Sequence, residues 1–294
     1  MHVIEMENIT KRYGTVDALR GISLTVAPGE VVGFLGPNGA GKTTAISIML
    51  GLRRATNGTT RLWDTSPSDP AAKARTGVML QESGVPETLR VEELVRLFQS
   101  YYPYTLPTDE IIERAGLTET RRAIIDKLSG GQKQRLYFAL AVTGDPDLLF
   151  LDEPTVGMDV ETRMRFWEQI RGFAAAGKTI LFSTHYIEEA DALASRIVVI
   201  NKGQIIAQGT PYEIKALTVD THVRMRTNAP IERLQTYLGV HRITTENDHL
   251  TITTSEPEAL LRHMFREDWQ IADLSVQQAD LETAFLSLTE GDAA

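Results

Sequence analysis

At 294 residues the chain is longer than most single compact domains, so one large domain and one smaller domain are expected. Charged residues at 23% and hydrophobic residues at 42% are ordinary globular composition, and the absence of Cys excludes disulfides, thiolate nucleophiles, iron–sulfur ligation and Cys-based zinc sites. The net charge of −9 is uneven: residues 219–294 hold six Arg, no Lys and thirteen acids, a net of −7 against −2 for residues 1–218. Such a tail repels phosphate backbones and anionic lipid, and no nucleic acid is expected among the partners.

The opening MHVIEMENITKRYG mixes acids among its apolar residues, unlike a signal peptide. No apolar run approaches the ~18 residues of a membrane span, so a cytoplasmic chain is expected. Residues 31–36 (VVGFLG), 147–152 (DLLFLD), 178–184 (KTILFST) and 196–201 (RIVVIN) are near-continuous apolar runs. Runs of that kind suit strands of a parallel sheet covered on both faces. Helices are expected from Lys42, Gly131, Glu161 and Ile187. Between Gln81 and Leu128 the pattern turns helical (VEELVRLFQSYY, TDEIIERAGL) and is broken by Pro103 and Pro107, which reads as a helical subdomain over about residues 82–140. From about residue 218 the order becomes strand, helix, strand, strand, helix, strand. That is the split β-α-β order of ferredoxin-like folds, with DLETAFLSL as a closing helix. The expected domains are 1–217, α/β, and 218–294, small α+β.

GPNGAGKTT, residues 36–44, follows an apolar strand and precedes the helix AISIMLGL. That context turns a glycine pattern into a phosphate site. Gly36, Gly39 and Gly41 let the backbone curl so that N–H groups face inward, the helix adds its positive end, and Lys42 brings a full charge to the β/γ-phosphates. Thr43 is placed to ligate Mg²⁺. A glycine-rich turn with an exposed Lys is the plain alternative; strand, pattern and helix together weigh against it. LLFLDE then puts Asp152 and Glu153 at a strand's carboxyl end, where ligands sit in parallel sheets. Asp152 suits Mg²⁺ and Glu153 suits polarising a water. NKGQ at 201–204 invites a guanine reading, but Gln204 stands where a carboxylate is needed, so that reading fails. Tyr13 offers a face for stacking a purine. LSGGQKQR, residues 128–135, supplies an N-cap in Ser129 and a bare helix entrance in Gly130 and Gly131, a second anion site 87 residues after Lys42.

With these motifs in order, the chain resembles the nucleotide-binding subunit of ATP-binding cassette (ABC) transporters over residues 3–217. GPNGAGKT resembles the Walker A motif, LSGGQ the family signature and LLFLDEP the Walker B motif with its following Glu. In order and spacing, Tyr13 is similar to the adenine-stacking aromatic, Gln81 to the Q-loop, VGMD (156–159) to the D-loop with Met158 where Leu is commoner, and His185 to the switch histidine. The resemblance implies a P-loop NTPase core with a helical signature subdomain. It also implies ATP and Mg²⁺ as cofactors, with Thr43, Gln81 and Asp152 at the metal. Nucleotide contacts are implied for Tyr13, Gly36, Pro37, Asn38, Gly39, Ala40, Gly41, Lys42, Thr43, Thr44, Ser129, Gly130, Gly131, Gln132 and Asp159. Glu153, His185, Gln81 and Lys42 would act on the reaction itself.

It further implies a head-to-tail homodimer in which Lys42 of one copy and Ser129 of the other clamp one γ-phosphate. A separate integral-membrane permease would hold the dimer at the cytoplasmic face. The segment HYIEEADALASRIVVINKGQIIAQGTPYEI and the acidic tail resemble the drug and antibiotic exporter branch, so an exporter motor is expected. A soluble ABC ATPase serving a cytosolic machine is the alternative. Four of the six histidines (His222, His241, His249, His263) lie in the tail without metal-ligand spacing.

Overall fold

The computed structural model describes residues 2–80, 84–217, 221–246, 248–278, 281, 282 and 285. The chain divides into two compact units, 1–210 and 211–294.

In the first unit the chain opens with β1 (Ile4–Tyr13) and β2 (Val16–Val26), an antiparallel pair. Next come β3 (Val31–Leu35), α1 (Lys42–Met49), β4 (Asn57–Leu62), α2 (Pro70–Ala74) and β5 (Thr76–Met79). The helical insert follows, with α3 (Val91–Gln99), α4 (Thr108–Arg114) and α5 (Gly130–Val142). The unit closes with β6 (Leu148–Asp152), α6 (Val160–Ala175), β7 (Thr179–Thr184), α7 (Ile187–Leu193), β8 (Arg196–Asn201) and β9 (Gln204–Gly209). The main sheet has the order β5-β6-β7-β3-β8-β9, parallel except for the final antiparallel pair. Every residue of β3, β6 and β7 is buried, as the unbroken apolar runs require.

Two cores cover that sheet. On one face, Ile4, Met6 and Ile9 of β1 and Leu24 of β2 pack with Ile46 and Met49 of α1 against Phe34, Phe150 and Val198. The antiparallel sheet that supplies these strands has the order β2-β1-β4, and it was not marked by the sequence reading. Its strands alternate buried with exposed residues and carry register shifts, so no continuous apolar run announces them. On the other face, Phe138 of α5 meets Phe166 and Phe173 of α6 edge-on, at centroid separations of 4.9 and 5.6 Å. The opposite side of α5 (Leu136, Ala139, Leu140) closes a third core with Leu94 and Val95 of α3 and Ile111 and Ile112 of α4. Apolar on both sides, α5 ties the helical insert to the sheet.

The second unit begins with α8 (Pro211–Ala216). It continues as β10 (Thr221–Thr227), α9 (Ile231–Gln235), β11 (Val240–Glu246), β12 (His249–Thr254), α10 (Pro257–Arg266) and β13 (Ile271–Gln278). The four strands form one antiparallel sheet, order β11-β12-β10-β13. Alternation in HVRMRT and HLTITT buries Val223, Met225, Leu250 and Ile252 against Leu234, Leu260 and Met264 of the helices. The closing helix read from DLETAFLSL falls mostly outside the described residues; Leu281, Glu282 and Phe285 are helical.

Candidate functional site

The loop between β3 and α1 occupies the carboxyl end of a central strand. A Cβ on Gly36 would lie 2.4 Å from the carbonyl oxygen of Ile200, so only glycine lets the loop run this close to β8. Gly41 caps α1 with φ 108°, in the left-handed region that glycine tolerates. The first turn of α1 holds no acid and no side-chain cap, which leaves its N–H groups for an anion. Lys42 is 5% exposed. Its ammonium donates to the carbonyls of Gly36 (2.7 Å) and Pro37 (3.2 Å) and stands 3.7 Å from Glu153 Oε1. Burial pushes the Lys42 pKa down, against the pull of the Glu153 and Asp152 charges. Ala18, Asn38, Gly39, Gly41, Lys42, Thr43, Thr44 and Glu153 line a hollow of about 340 Å³; Pro37 and Ala40 complete the loop.

Across that hollow, β6 ends in buried Asp152, which pairs in register with Ser183 of β7. The Ser183 hydroxyl donates to Asp152 Oδ1 and accepts the Glu153 N–H at 3.0 Å. The same N–H points at the Ser183 carbonyl, 3.1 Å away. One hydroxyl thus orients both acids, and it holds Glu153 at φ 50°, a left-handed conformation that a non-glycine residue adopts under constraint. Burial raises the Asp152 pKa, the Ser183 hydrogen bond and the neighbouring Thr43 side chain oppose it, and the Glu153 charge adds to the rise. Asp152 Oδ2 is buried with no hydrogen-bond partner among the described residues, on a side chain that Thr43 approaches. His185 follows β7, a third exposed, with Nδ1 3.3 Å from Glu153 Oε1.

The structure therefore gathers the loop, Lys42, Thr43, Asp152, Glu153 and His185 at the carboxyl ends of β3, β6 and β7. Ser129, Gly130, Gly131 and Gln132 are not among the residues lining the hollow. They open α5, where the Ser129 hydroxyl accepts the Gln132 N–H (3.3 Å) and Gln132 Oε1 accepts the Ser129 N–H (2.8 Å). This helix end neighbours the loop that carries Asp159, since Gly131 lies beside Met158 and Thr162. Asp159 caps α6 by accepting the Thr162 N–H at 2.8 Å. Its pKa is lowered by that bond and by the Thr162 hydroxyl. Tyr13 closes β1, 38% exposed, with its hydroxyl accepting from Arg53 and Lys11 above the ring. Gln81 lies outside the described residues.

Sequence reasoning missed Ser183 and Ala18. A serine interrupting the apolar run KTILFST was the available signal for Ser183; Ala18 sits on β2, in the unmarked sheet, and had none.

A glycine-rich loop at a sheet's carboxyl edge, a buried lysine and paired strand-end acids define a phosphate-loop nucleotide hydrolase. The sequence matches the ABC transporter family over residues 19–156. It is 39% identical to the Nod factor export ATP-binding protein I of Paraburkholderia xenovorans, an alignment covering 75% of each chain. It is 33% identical to a daunorubicin resistance ATP-binding protein of Streptomyces coeruleorubidus, over 98% of this chain and 96% of that one. The dimeric structure of an ATP-binding cassette in a post-hydrolysis state, bound to ADP and Pi, superposes with a TM-score of 0.64 at 25% identity, over 70% of this chain and 98% of the other. The chain belongs to the ABC transporter family as an ATP-binding subunit, and its activity is ATP hydrolysis.

Proposed function

We propose that the chain is the motor of an exporter: two copies close head to tail on ATP, and hydrolysis drives a separate membrane permease from its cytoplasmic face. The observation that carries this reading is the convergence of Lys42 Nζ and His185 Nδ1 on one Glu153 oxygen, at 3.7 and 3.3 Å, beside the phosphate loop. In this reading the loop amides and Lys42 hold the β/γ-phosphates, and Glu153 takes the proton of the attacking water. His185 hydrogen-bonds the γ-phosphate, and Tyr13 stacks the base. Asp152 Oδ2, buried without a hydrogen-bond partner among the described residues and with Thr43 nearby, fits a hard divalent cation, and Gln81 would complete the set. Mg²⁺ held there by Thr43 and Asp152 would supply neutralising charge to the phosphates.

The bare start of α5 supplies Ser129, Gly130, Gly131 and Gln132 to the ATP of the other copy, with Asp159 contacting that copy. An exporter is favoured because the relatives named above serve daunorubicin resistance and Nod factor export. For the permease, a mainly apolar groove of about 550 Å³ is available, lined by Leu50, Leu52, Leu62, Val78, Leu80 and Phe98 together with Lys73 and Thr76. Among the described residues no helix is long and apolar enough to cross a membrane.

Replacing Glu153 by Gln tests the site: ATP binding stays and turnover falls by about 10²–10⁴-fold, the range of general-base catalysis. Near-normal turnover removes Glu153 from its role. Affinity purification from detergent-solubilised host membranes tests the partner, and recovery of only soluble proteins rejects the permease.

A further inference from the structure

A second buried carboxyl lies outside the lining of the phosphate hollow. Glu189 of α7 is fully buried, which is rare for an acid without a structural or functional task. Burial pushes its pKa up, against the opposing influence of the neighbouring Thr184, Thr155 and Trp167 side chains and the charge of Arg163. Trp167 Nε1 donates to Glu189 Oε1 at 3.1 Å.

Each of these neighbours belongs to a segment of the site. Thr184 immediately precedes His185, and its hydroxyl oxygen accepts the Tyr186 N–H at 2.9 Å, bracketing the histidine. Thr155 is buried two residues beyond Glu153, in the loop that leads to Asp159. Arg163 and Trp167 stand on α6, the helix that Asp159 caps. The contacts run back to the start: Arg163 lies over the Trp167 and Tyr186 rings, at 5.7 and 5.3 Å, and the Tyr186 ring lies 4.2 Å from the His185 ring. Glu189 Oε2 and Thr155 Oγ1 are both buried with no hydrogen-bond partner among the described residues, although the two side chains approach each other.

We infer that Glu189 is a positioning residue for hydrolysis: through Thr184 it sets His185 against Glu153, and through Thr155 and α6 it links that setting to the Asp159 loop. The inference rests on the roles proposed above for Glu153 and His185. A purely structural acid would affect folding and nucleotide binding together. A positioning acid affects kcat while KM holds, because the geometry it sets matters chiefly once the γ-phosphate is reacting.

The test is steady-state ATPase on the purified full chain, with melting temperature and ATP affinity measured in parallel. Glu189→Ala and Thr184→Val are expected to lose about tenfold to a hundredfold in kcat, the scale of a misplaced catalytic group, with KM within about threefold of the parent. Glu189→Gln, which preserves shape and hydrogen bonding, is expected to recover most of that loss. The inference is overturned if Thr184→Val turns over within about twofold of the parent, if kcat, KM and melting temperature move together in every variant, or if Gln restores nothing. Should Glu189→Ala not fold, Thr184→Val and Glu189→Gln decide the matter. Normal turnover by Glu153→Gln would sink the reading of the site itself, whereas an inactive Glu153→Gln beside a normal Thr184→Val would sink this inference alone.

Discussion

The first unit holds two helix N-termini built from the same elements, and they differ in what surrounds them. Both α1 and α5 have no acid in their first turn, and glycine stands at or just inside each entrance. At α1 the cap is Gly41, the next residue is a buried lysine, and Glu153 stands opposite. At α5 the cap is an exposed serine in a closed capping box. The cations of that helix are engaged elsewhere: Lys133 pairs with Glu87 at 2.8 Å, and Arg135 donates to the Gly116 carbonyl. A helix dipole alone contributes little at a water-exposed end. The contrast teaches that a phosphate site needs a buried cation and an opposing acid set. α1 has these from its own chain, while α5 has neither at its entrance, which is why its role is proposed above to lie at the ATP of a second copy.

The largest expected effect tests that division directly. Lys42→Ala and Ser129→Arg should each silence ATP hydrolysis when assayed alone. Mixed in equal amounts, they should regain roughly a quarter of parental turnover, because half of randomly formed dimers are mixed and each mixed dimer keeps one intact site. A mixture as silent as its components would place both helix ends in one site of one chain, and the comparison would collapse.

Phe138→Ala comes next, at about 3–5 kcal/mol of lost stability for a buried aromatic truncated in a packed core. Phe138 stands on the sheet-facing side of α5, edge-on to Phe166 and Phe173, and belongs to a different core from α1. Chemical denaturation should therefore show the loss while ATP affinity at the α1 end stays within about twofold at temperatures where the variant is folded. Parallel loss of affinity would show that the two ends do not behave independently.

Ser183→Ala sharpens the α1 side. It strips Asp152 Oδ1 of its donor and Glu153 N–H of one of two acceptors, at a cost of about 1–3 kcal/mol, visible as a lower melting temperature and about a tenfold fall in kcat. Unchanged kcat would mean that the backbone alone fixes the pair of acids.

The smallest effect belongs to Glu30, just before β3, at the end of the strand away from the loop. Burial works to raise its pKa, but the Arg196 guanidinium and the Ala27 N–H outweigh it, and the net shift is downward. A carboxylate with a folded-state pKa below its unfolded one adds stability above the unfolded value and loses it as pH falls through the folded value. Glu30→Gln should thus flatten the decline in melting temperature between neutral pH and about pH 3, leaving ATP affinity alone. An identical decline in both proteins would remove the ion pair from the account.

Legibility along the chain followed burial and contiguity. The strands β3, β6, β7 and β8 stood within a residue of their expected limits because a parallel sheet covered on both faces demands an unbroken apolar run. The α5 and α6 starts fell one residue earlier than expected, at Gly130 and Val160, because Ser129 and Asp159 cap them. The antiparallel sheet of β1, β2 and β4 escaped notice because one-sided burial and register shifts blur a short alternation. In the second unit, clean alternation in β10 and β12 left those strands readable.

What the sequence determined by itself was the inventory: a glycine loop that must curl, a lysine at a helix start, two acids at a strand end, a serine able to cap a second helix, and a histidine after a third apolar run. These are local patterns, each legible within a short stretch of sequence. Only the tertiary structure decided that Ser183 would hold both acids, that Lys42 would be buried against Glu153, and that Glu189 would lie among Thr155, Thr184 and Trp167. Those facts depend on which strands become neighbours and in what register. Register is set by the packing of the whole sheet against its helices, and no single stretch of sequence contains it.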